Sequence, residues 1–120
     1  MIHTQLQLEN VRLKKVGDGG YIVKLADLSR AQEGLTASFS HIERKYLAPE
    51  VLMGGHYTKG ADIWSLGLIL YQMCSLSFPF STPNPDQIQS EITAGKHIDL
   101  PKSFSPRIKA LLNRILQPDP

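Results

Sequence analysis

The chain has 120 residues, of which 42% are hydrophobic and 20% charged, and its formal net charge is +2. This length suits one domain, and the globular composition excludes global disorder. The small net charge gives no reason to expect nucleic acid or a membrane surface as a partner. The single cysteine, Cys74, excludes an internal disulfide and a multi-cysteine metal site. We therefore expect an intracellular protein, located in the cytoplasm.

The first half of the chain predicts a β-hairpin followed by a long loop. Residues 10–13 and 21–25 alternate, at least in part, between apolar and polar side chains, as half-buried strands do. The segment from Lys14 to Gly20 is rich in turn-forming residues, which predicts a hairpin with a longer loop. Residues 27–47 show neither a helical nor a strand period. Loops of that length inside a compact domain are usually functional or mobile.

The second half of the chain predicts four helices. A short helix follows Pro49 and ends near Gly54, and Thr58 can cap a long helix from about Lys59 to Cys74. The apolar residues of the long helix cover nearly every face, which predicts burial on all sides. The last two predicted helices span residues 86–94 and 105–117. The fold class is therefore mainly α with a small β-hairpin (α+β).

Five short motifs follow one another along the chain. They are Lys24 to Ser29 (KLADLS), Tyr46 to Glu50 (YLAPE), Asp62 to Gly67 (DIWSLG), Phe78 to Phe80 (FPF) and Leu116 to Pro120 (LQPDP). In this order and at these spacings they resemble the landmarks of a protein kinase, beginning with its DFG and APE segments. The resemblance covers essentially all 120 residues. It implies a partial protein-kinase C-terminal lobe over residues 1–120. The pattern is closest to Ser/Thr kinases, of the NIMA-related or the calmodulin-dependent/AMP-activated type.

The resemblance places residues 3–10 where kinases carry the H-R-D-x-K-x-x-N catalytic loop. It implies that Gln5 occupies the position of the aspartate that accepts the proton, and Gln7 that of the lysine on the transferred phosphate. An amide does not titrate near neutrality and brings no positive charge. Losing a positioned general base typically costs ~10²–10⁴ in rate. We therefore predict that the chain has no catalytic residue.

Asn10 and Asp27 match the family's metal ligands, and an amide oxygen with a carboxylate suits Mg²⁺. The resemblance thus implies Mg²⁺ and ATP as the family's cofactors, held by these two residues. Without the resemblance, a turn residue and a strand-end cap would be the better interpretation. Arg12 replaces the aliphatic residue that packs under the adenine, where a charge is costly unless paired. The chain also holds no Gly-rich phosphate loop or strand lysine, so we expect no bound cofactor in this chain.

The activation-loop analogue, Arg30 to Tyr46, contains three residues that can accept phosphate: Thr36, Ser38 and Ser40. A solvated polar loop is the alternative interpretation. Thr4 stands where many kinases carry the arginine that pairs with a phosphorylated loop, so phosphorylation would lack its usual docking partner.

The resemblance implies that the residues with structural roles in the family are better retained than those that act in phosphoryl transfer. In the family, Asp62 would hydrogen-bond the backbone of the catalytic loop, and His3 and Leu28 would stack in the regulatory spine that rests on it. Ile69 and Met73 would support the second spine. These five residues match in type, whereas the proton acceptor and the phosphate lysine do not.

Three functions remain open from the sequence. The chain can be a catalytically inactive pseudokinase or truncated kinase that acts, if at all, by binding a protein. It can be a fragment of an active ATP-dependent Ser/Thr kinase whose N-lobe is supplied elsewhere. It can also be a degenerate product that does not fold stably alone. An apolar helix face without neighbours would favour a protein partner or self-association.

Overall fold

The structure is a computed structural model that describes residues 1–34, 44–81 and 84–118. The expected phosphate acceptors Thr36, Ser38 and Ser40 lie outside the described residues, and so does the end of the last motif. The fold is helix-rich with one antiparallel hairpin. This confirms the predicted α+β class.

The hairpin pairs strand β1 (Val11–Lys15) with strand β2 (Tyr21–Leu25). Its register sets Val11 opposite Leu25, and so on to Lys15 opposite Tyr21. The connecting turn includes Gly19 at a φ of 81°, a left-handed conformation that glycine adopts without steric cost. The hairpin loop spans residues 16–20, so it begins two residues later than the turn-rich segment predicted from the sequence.

Within the described ranges, four α-helices follow the hairpin, close to the predicted bounds: α1 (Pro49–Leu52), α2 (Lys59–Ser75), α3 (Pro85–Thr93) and α4 (Pro106–Ile115). The hydroxyl of Thr58 accepts the backbone N–H of Gly60 at 3.1 Å and so caps α2, as predicted. Ser105 caps α4 in the same way, through the N–H of Ile108. None of the helices in the described ranges is long and apolar enough to cross a membrane.

The core is centred on α2, which packs against α4 and against the residues that precede α1. At Gly67 α2 lies close against α4, since a methyl group at this position would collide with the side chain of Ile115. The buried apolar residues of this core include Tyr46, Trp64, Leu68, Leu112 and Leu116.

Burial of α2 on all sides, which the sequence predicts, is wrong. Ile63, Leu66 and Met73 are 52%, 44% and 58% exposed. Leu66 and Met73 border a groove of about 420 Å³ that lies between α2 and the hairpin. The helix is apolar all round, but the described elements cover only part of its circumference. The cysteine at its end, Cys74, is half-buried.

Candidate functional site

Asp62, in the first turn of α2, holds the start of the chain in place. Its Oδ2 accepts the backbone N–H of His3 at 2.6 Å, and its Oδ1 accepts the N–H of Thr4 at 3.1 Å. The hydroxyl of Tyr57 donates to the same Oδ1 at 3.0 Å. Hydrogen bonds to a carboxylate are stronger than bonds between neutral groups. The expected anchor between Asp62 and the catalytic-loop analogue is thereby confirmed.

Thr4 is buried and its backbone lies in the left-handed region, with a φ of 66°. A β-branched residue rarely adopts this conformation, which costs of order 1–3 kcal/mol. Two bonds hold it there: its N–H donates to Asp62, and its hydroxyl donates to the carbonyl of Arg30 at 3.2 Å. The residue that replaces the family's loop arginine is therefore tied to the segment after β2.

The ring of His3 links the loop to the end of β2. Its Nε2 lies 3.2 Å from the carbonyl oxygen of Ala26, and its Nδ1 accepts the backbone N–H of Gln5 at 3.3 Å. These contacts suit a neutral imidazole with the proton on Nε2. His3 therefore has a structural role in orienting the backbone at Gln5.

Asn10 and Asp27, the two predicted metal ligands, are connected through the backbone at the end of the hairpin. Asn10 is 9% exposed, and its Nδ2 donates to the carbonyl of Gln5 at 2.9 Å. The N–H of Ala26, the residue before Asp27, donates to the Asn10 carbonyl at 2.8 Å. Asp27 has an exposed carboxylate and a φ of 59°. Its Oδ1 accepts the Ser29 hydroxyl at 2.6 Å.

These two residues offer few oxygen donors to a cation. The side-chain oxygen of Asn10 remains available because the amide nitrogen is bonded to Gln5. Across residues 1–34, 44–81 and 84–118, no three His, Cys, Asp or Glu side chains form a group that could hold a metal. Mg²⁺ commonly binds through one or two protein oxygens together with water and phosphate ligands. The donor set therefore fits Mg²⁺ that arrives with a nucleotide, and that ion would neutralise phosphate charge.

Gln5 and Gln7 are the residues that the resemblance places at the proton acceptor and at the phosphate lysine. The Oε1 atoms of both side chains are buried and have no hydrogen-bond partner in the described part of the chain. A buried acceptor without a donor costs about 1–3 kcal/mol. Neither amide can take up a proton near neutral pH or neutralise a phosphate. The residues that anchor the loop are present, but the charged groups that act on the substrate are absent from these two positions.

Two positions near the site depart from what the resemblance implies. Leu28 is 52% exposed, so the described structure does not bury it in a stack with His3. Arg12 is also exposed and points to solvent, which avoids the cost of burying its charge.

Sequence reasoning missed Tyr57 and Ser65. Burial raises the pKa of the Tyr57 phenol far above its usual range, and the carboxylate of Asp62 contributes to the increase. The hydroxyl of Ser65 donates to the carbonyls of Tyr46 and Ala61, at 2.9 and 3.0 Å. It therefore fixes the end of the activation-loop analogue to α2. The sequence offered one indication for Tyr57, its place directly before the predicted helix cap.

Comparison with known proteins identifies a match over the whole chain. The family described as "Protein kinase domain" matches residues 1–120. The chain is 36% identical over its full length to a Trypanosoma brucei brucei protein named as a serine/threonine-protein kinase A, and spans 28% of that protein. It is 32% identical to RAC-beta serine/threonine-protein kinase A of Xenopus laevis, and spans 24% of it. The human RAC-beta serine/threonine-protein kinase is 30% identical, with 25% spanned.

Proposed function

The chain belongs to the protein kinase family. We propose that it is a kinase-like C-lobe that transfers no phosphate and acts by binding a protein partner. The observation that supports this proposal is the environment of Gln5. Its amide is buried, its backbone N–H is bound to His3, and its Oε1 has no donor in the described structure. A group of this kind cannot accept the proton of an attacking hydroxyl.

Transfer of a phosphoryl group requires alignment, neutralisation of charge and a proton acceptor. Asp62 and His3 supply part of the alignment, because they fix the backbone on which the family's reacting groups are mounted. Asn10 and Asp27 would hold a Mg²⁺ ion against phosphate oxygens. Gln5 and Gln7 supply neither the proton acceptor nor the positive charge. The proton acceptor is therefore missing, and the neutralisation of phosphate charge is incomplete.

A phosphate-transfer assay on the purified chain tests the proposal. With radiolabelled ATP, Mg²⁺ and a general protein substrate, we expect the natural chain and its Asp27→Ala variant to give the same background signal. Asp99→Ala, which removes an exposed carboxylate far from residues 3–10 in the sequence, controls for nonspecific effects. Robust transfer by the natural chain that is lost in Asp27→Ala alone would refute the proposal.

Nucleotide binding is tested separately, by thermal shift. A ligand that binds only the folded state raises the melting temperature as its concentration increases above its Kd. We expect no Mg²⁺-dependent shift with millimolar ATP, because Arg12 replaces the aliphatic residue that packs under the adenine in the family. A shift that requires Mg²⁺ and disappears in both Asn10→Ala and Asp27→Ala would show retained binding.

A second function, that of a fragment of an active Ser/Thr kinase, is favoured by one observation. Asn10 and Asp27 remain connected through the bond between Ala26 and Asn10. The chain spans about a quarter of the length of the curated relatives it matches. Coding sequence upstream that contains a Gly-rich loop and a strand lysine would favour this function, and Gln5 would still lower the rate. A cooperative thermal melt would exclude the third reading, a degenerate product that does not fold alone.

The finer assignments stay predictions. Membership of the NIMA-related or the calmodulin-dependent/AMP-activated group rests on the motifs alone. Residence in the cytoplasm rests on the single cysteine.

A further inference from the structure

The two faces of the hairpin differ in chemistry. Side chains alternate between the faces of a strand, and directly paired residues share a face. One face lies over the groove beside α2 and is apolar along most of its length, with Val11, Leu13, Val23 and Leu25; the pair of Lys15 and Tyr21 ends it. The opposite face is cationic, with Arg12 paired to Lys24 and Lys14 paired to Ile22.

The cations on this face lack a counter-charge within the part of the chain that the structure describes. Arg12 and Lys24 are directly opposed, about 5.5 Å apart at their Cα atoms as hydrogen-bonded pairs are. Like charges in this position destabilise a hairpin. Lys14 follows on the same face of β1, roughly 6.8 Å from Arg12 along the strand. All three are exposed, and none forms an ion pair with a carboxylate in residues 1–34, 44–81 or 84–118.

The outer edge of β1 is open for pairing. The described part of the chain forms a two-stranded sheet, and the bonds that flank it run from Ala26 to Asn10 and from Val16 to Gly20. Hydrogen-bonded pairs alternate with non-hydrogen-bonded pairs along an antiparallel ladder, so the N–H and C=O groups of Arg12 and Lys14 also point towards β2. The N–H and C=O groups of Leu13 therefore point away from the hairpin. An exposed strand edge is a template for another strand.

We propose that this edge of β1 binds an extended protein segment in which acidic and apolar residues alternate. The backbone of the segment pairs with Leu13 and Lys15. Its acidic side chains then lie beside Arg12 and Lys14, where they supply the missing negative charge. Its apolar side chains lie on the opposite face, beside Leu13. The inference rests on the proposed function in one respect, that the chain acts by binding a protein.

The chemistry of the two faces and the spacing of the cations select this occupant. A fully acidic segment would place charge over the apolar groove, and a fully apolar one would leave the three cations unpaired. An alternating strand satisfies both faces because its period of two matches that of β1. The spacing of Arg12 and Lys14 equals the spacing of alternate residues in the bound segment.

Fluorescence anisotropy with synthetic peptides tests the proposal. The probe is a labelled eight-residue peptide of alternating glutamate and valine. The matched control has four glutamates followed by four valines, so that charge and composition are unchanged. We expect the alternating peptide to bind at least about tenfold more tightly than the control, with an affinity that falls as salt increases.

Two variants of the full chain separate charge from strand pairing. Arg12→Glu with Lys14→Glu should weaken binding of the probe at least about tenfold and create binding of an alternating lysine–valine peptide. That gain also shows that the variant is folded. Leu13→Pro should weaken binding of the probe to a similar extent, because it removes an N–H that points outward. Proline is tolerated at such a strand edge, so the fold should be kept. Lys102→Glu with Arg107→Glu, at two other exposed cations, makes the same charge change and should leave the affinity unaltered.

Several outcomes overturn the proposal. They are equal binding of the two acidic peptides, no saturable binding of either, and unchanged binding by Leu13→Pro. Duplex DNA or anionic lipid vesicles could also bind more tightly than the probe. If Arg12→Glu with Lys14→Glu abolished that binding, the ligand of this face would be another polyanion and the proposal would be wrong. The phosphate-transfer assay is independent of all of these: transfer with intact peptide binding overturns the proposed function alone.

Discussion

The carboxylate of Asp62 and the backbone N–H of His3 are 2.6 Å apart, although the two residues are separated by 59 positions in the sequence. This bond fixes the start of the described chain to the first turn of α2. It involves only backbone atoms of the loop, so its geometry is independent of the side chains at Gln5 and Gln7. The loop can therefore keep its conformation after its reactive residues have changed.

Replacing Asp62 by alanine should destabilise the fold strongly. The variant leaves the N–H groups of His3 and Thr4 without their acceptor and removes one hydrogen bond of the Tyr57 hydroxyl. Each unpaired buried N–H costs about 1–3 kcal/mol, so we expect a loss of at least about 2 kcal/mol in the free energy of unfolding. Urea denaturation measures it, with Asp99→Ala as the exposed control. A loss below about 1 kcal/mol would contradict the anchoring role.

Replacing Gly67 by alanine should destabilise the chain, although alanine normally favours a helix by about 1 kcal/mol. The added methyl group meets the side chain of Ile115 on α4, and overpacking typically costs about 1–3 kcal/mol. In an Ile115→Ala background the same substitution should become neutral or stabilising. A double-mutant cycle in urea measures this coupling, and additive effects would show that the two helices are not in close contact here.

Stability should fall in alkaline solution because of Tyr57. Its folded pKa is raised above the unfolded value by burial, so the folded state holds the phenolic proton more tightly. The contribution to stability is complete below an unfolded pKa of about 10 and decreases as the pH rises above it. Tyr57→Phe should show a smaller decrease between about pH 9 and pH 11. Tyr21→Phe, at an exposed tyrosine, should follow the natural chain.

The apolar groove beside α2 should cause weak self-association. Met73 and Leu66 present exposed apolar surface at the groove, and surfaces of this kind promote association. Sedimentation velocity should show an average mass that rises with protein concentration, and Met73→Glu should reduce this rise. Lys59→Glu, at the exposed start of the same helix, provides the control. A monomer at all concentrations would contradict the prediction.

The hairpin and the helices could be predicted because their signals are local. Alternating residues in β1, the cap at Thr58 and proline at the start of α1 and α4 each act within one turn or strand. The position of Asp62 against the loop came from the family resemblance. No local pattern relates it to His3.

The remaining details depend on contacts between distant segments. The exposure of Leu66 follows from which neighbours α2 has, and the apolar pattern of a helix cannot specify that. The bond from Tyr57 to Asp62 depends on the path of the chain before α2. The left-handed backbone of Thr4 is held by Asp62 and Arg30, both far away in sequence. Because threonine rarely adopts the left-handed region, the residue type does not predict that conformation.

The bond between His3 and Asp62 also constrains the order of folding. It closes a long stretch of chain that includes the whole hairpin, and such closure carries an entropic cost that local contacts do not. We expect α2 to form before the loop is locked onto it. A ligand that binds residues 3–10 should therefore slow hydrogen exchange at the first turns of α2, far along the sequence from its own contacts. Amide protection in that helix thus becomes a remote reporter of occupancy at the loop.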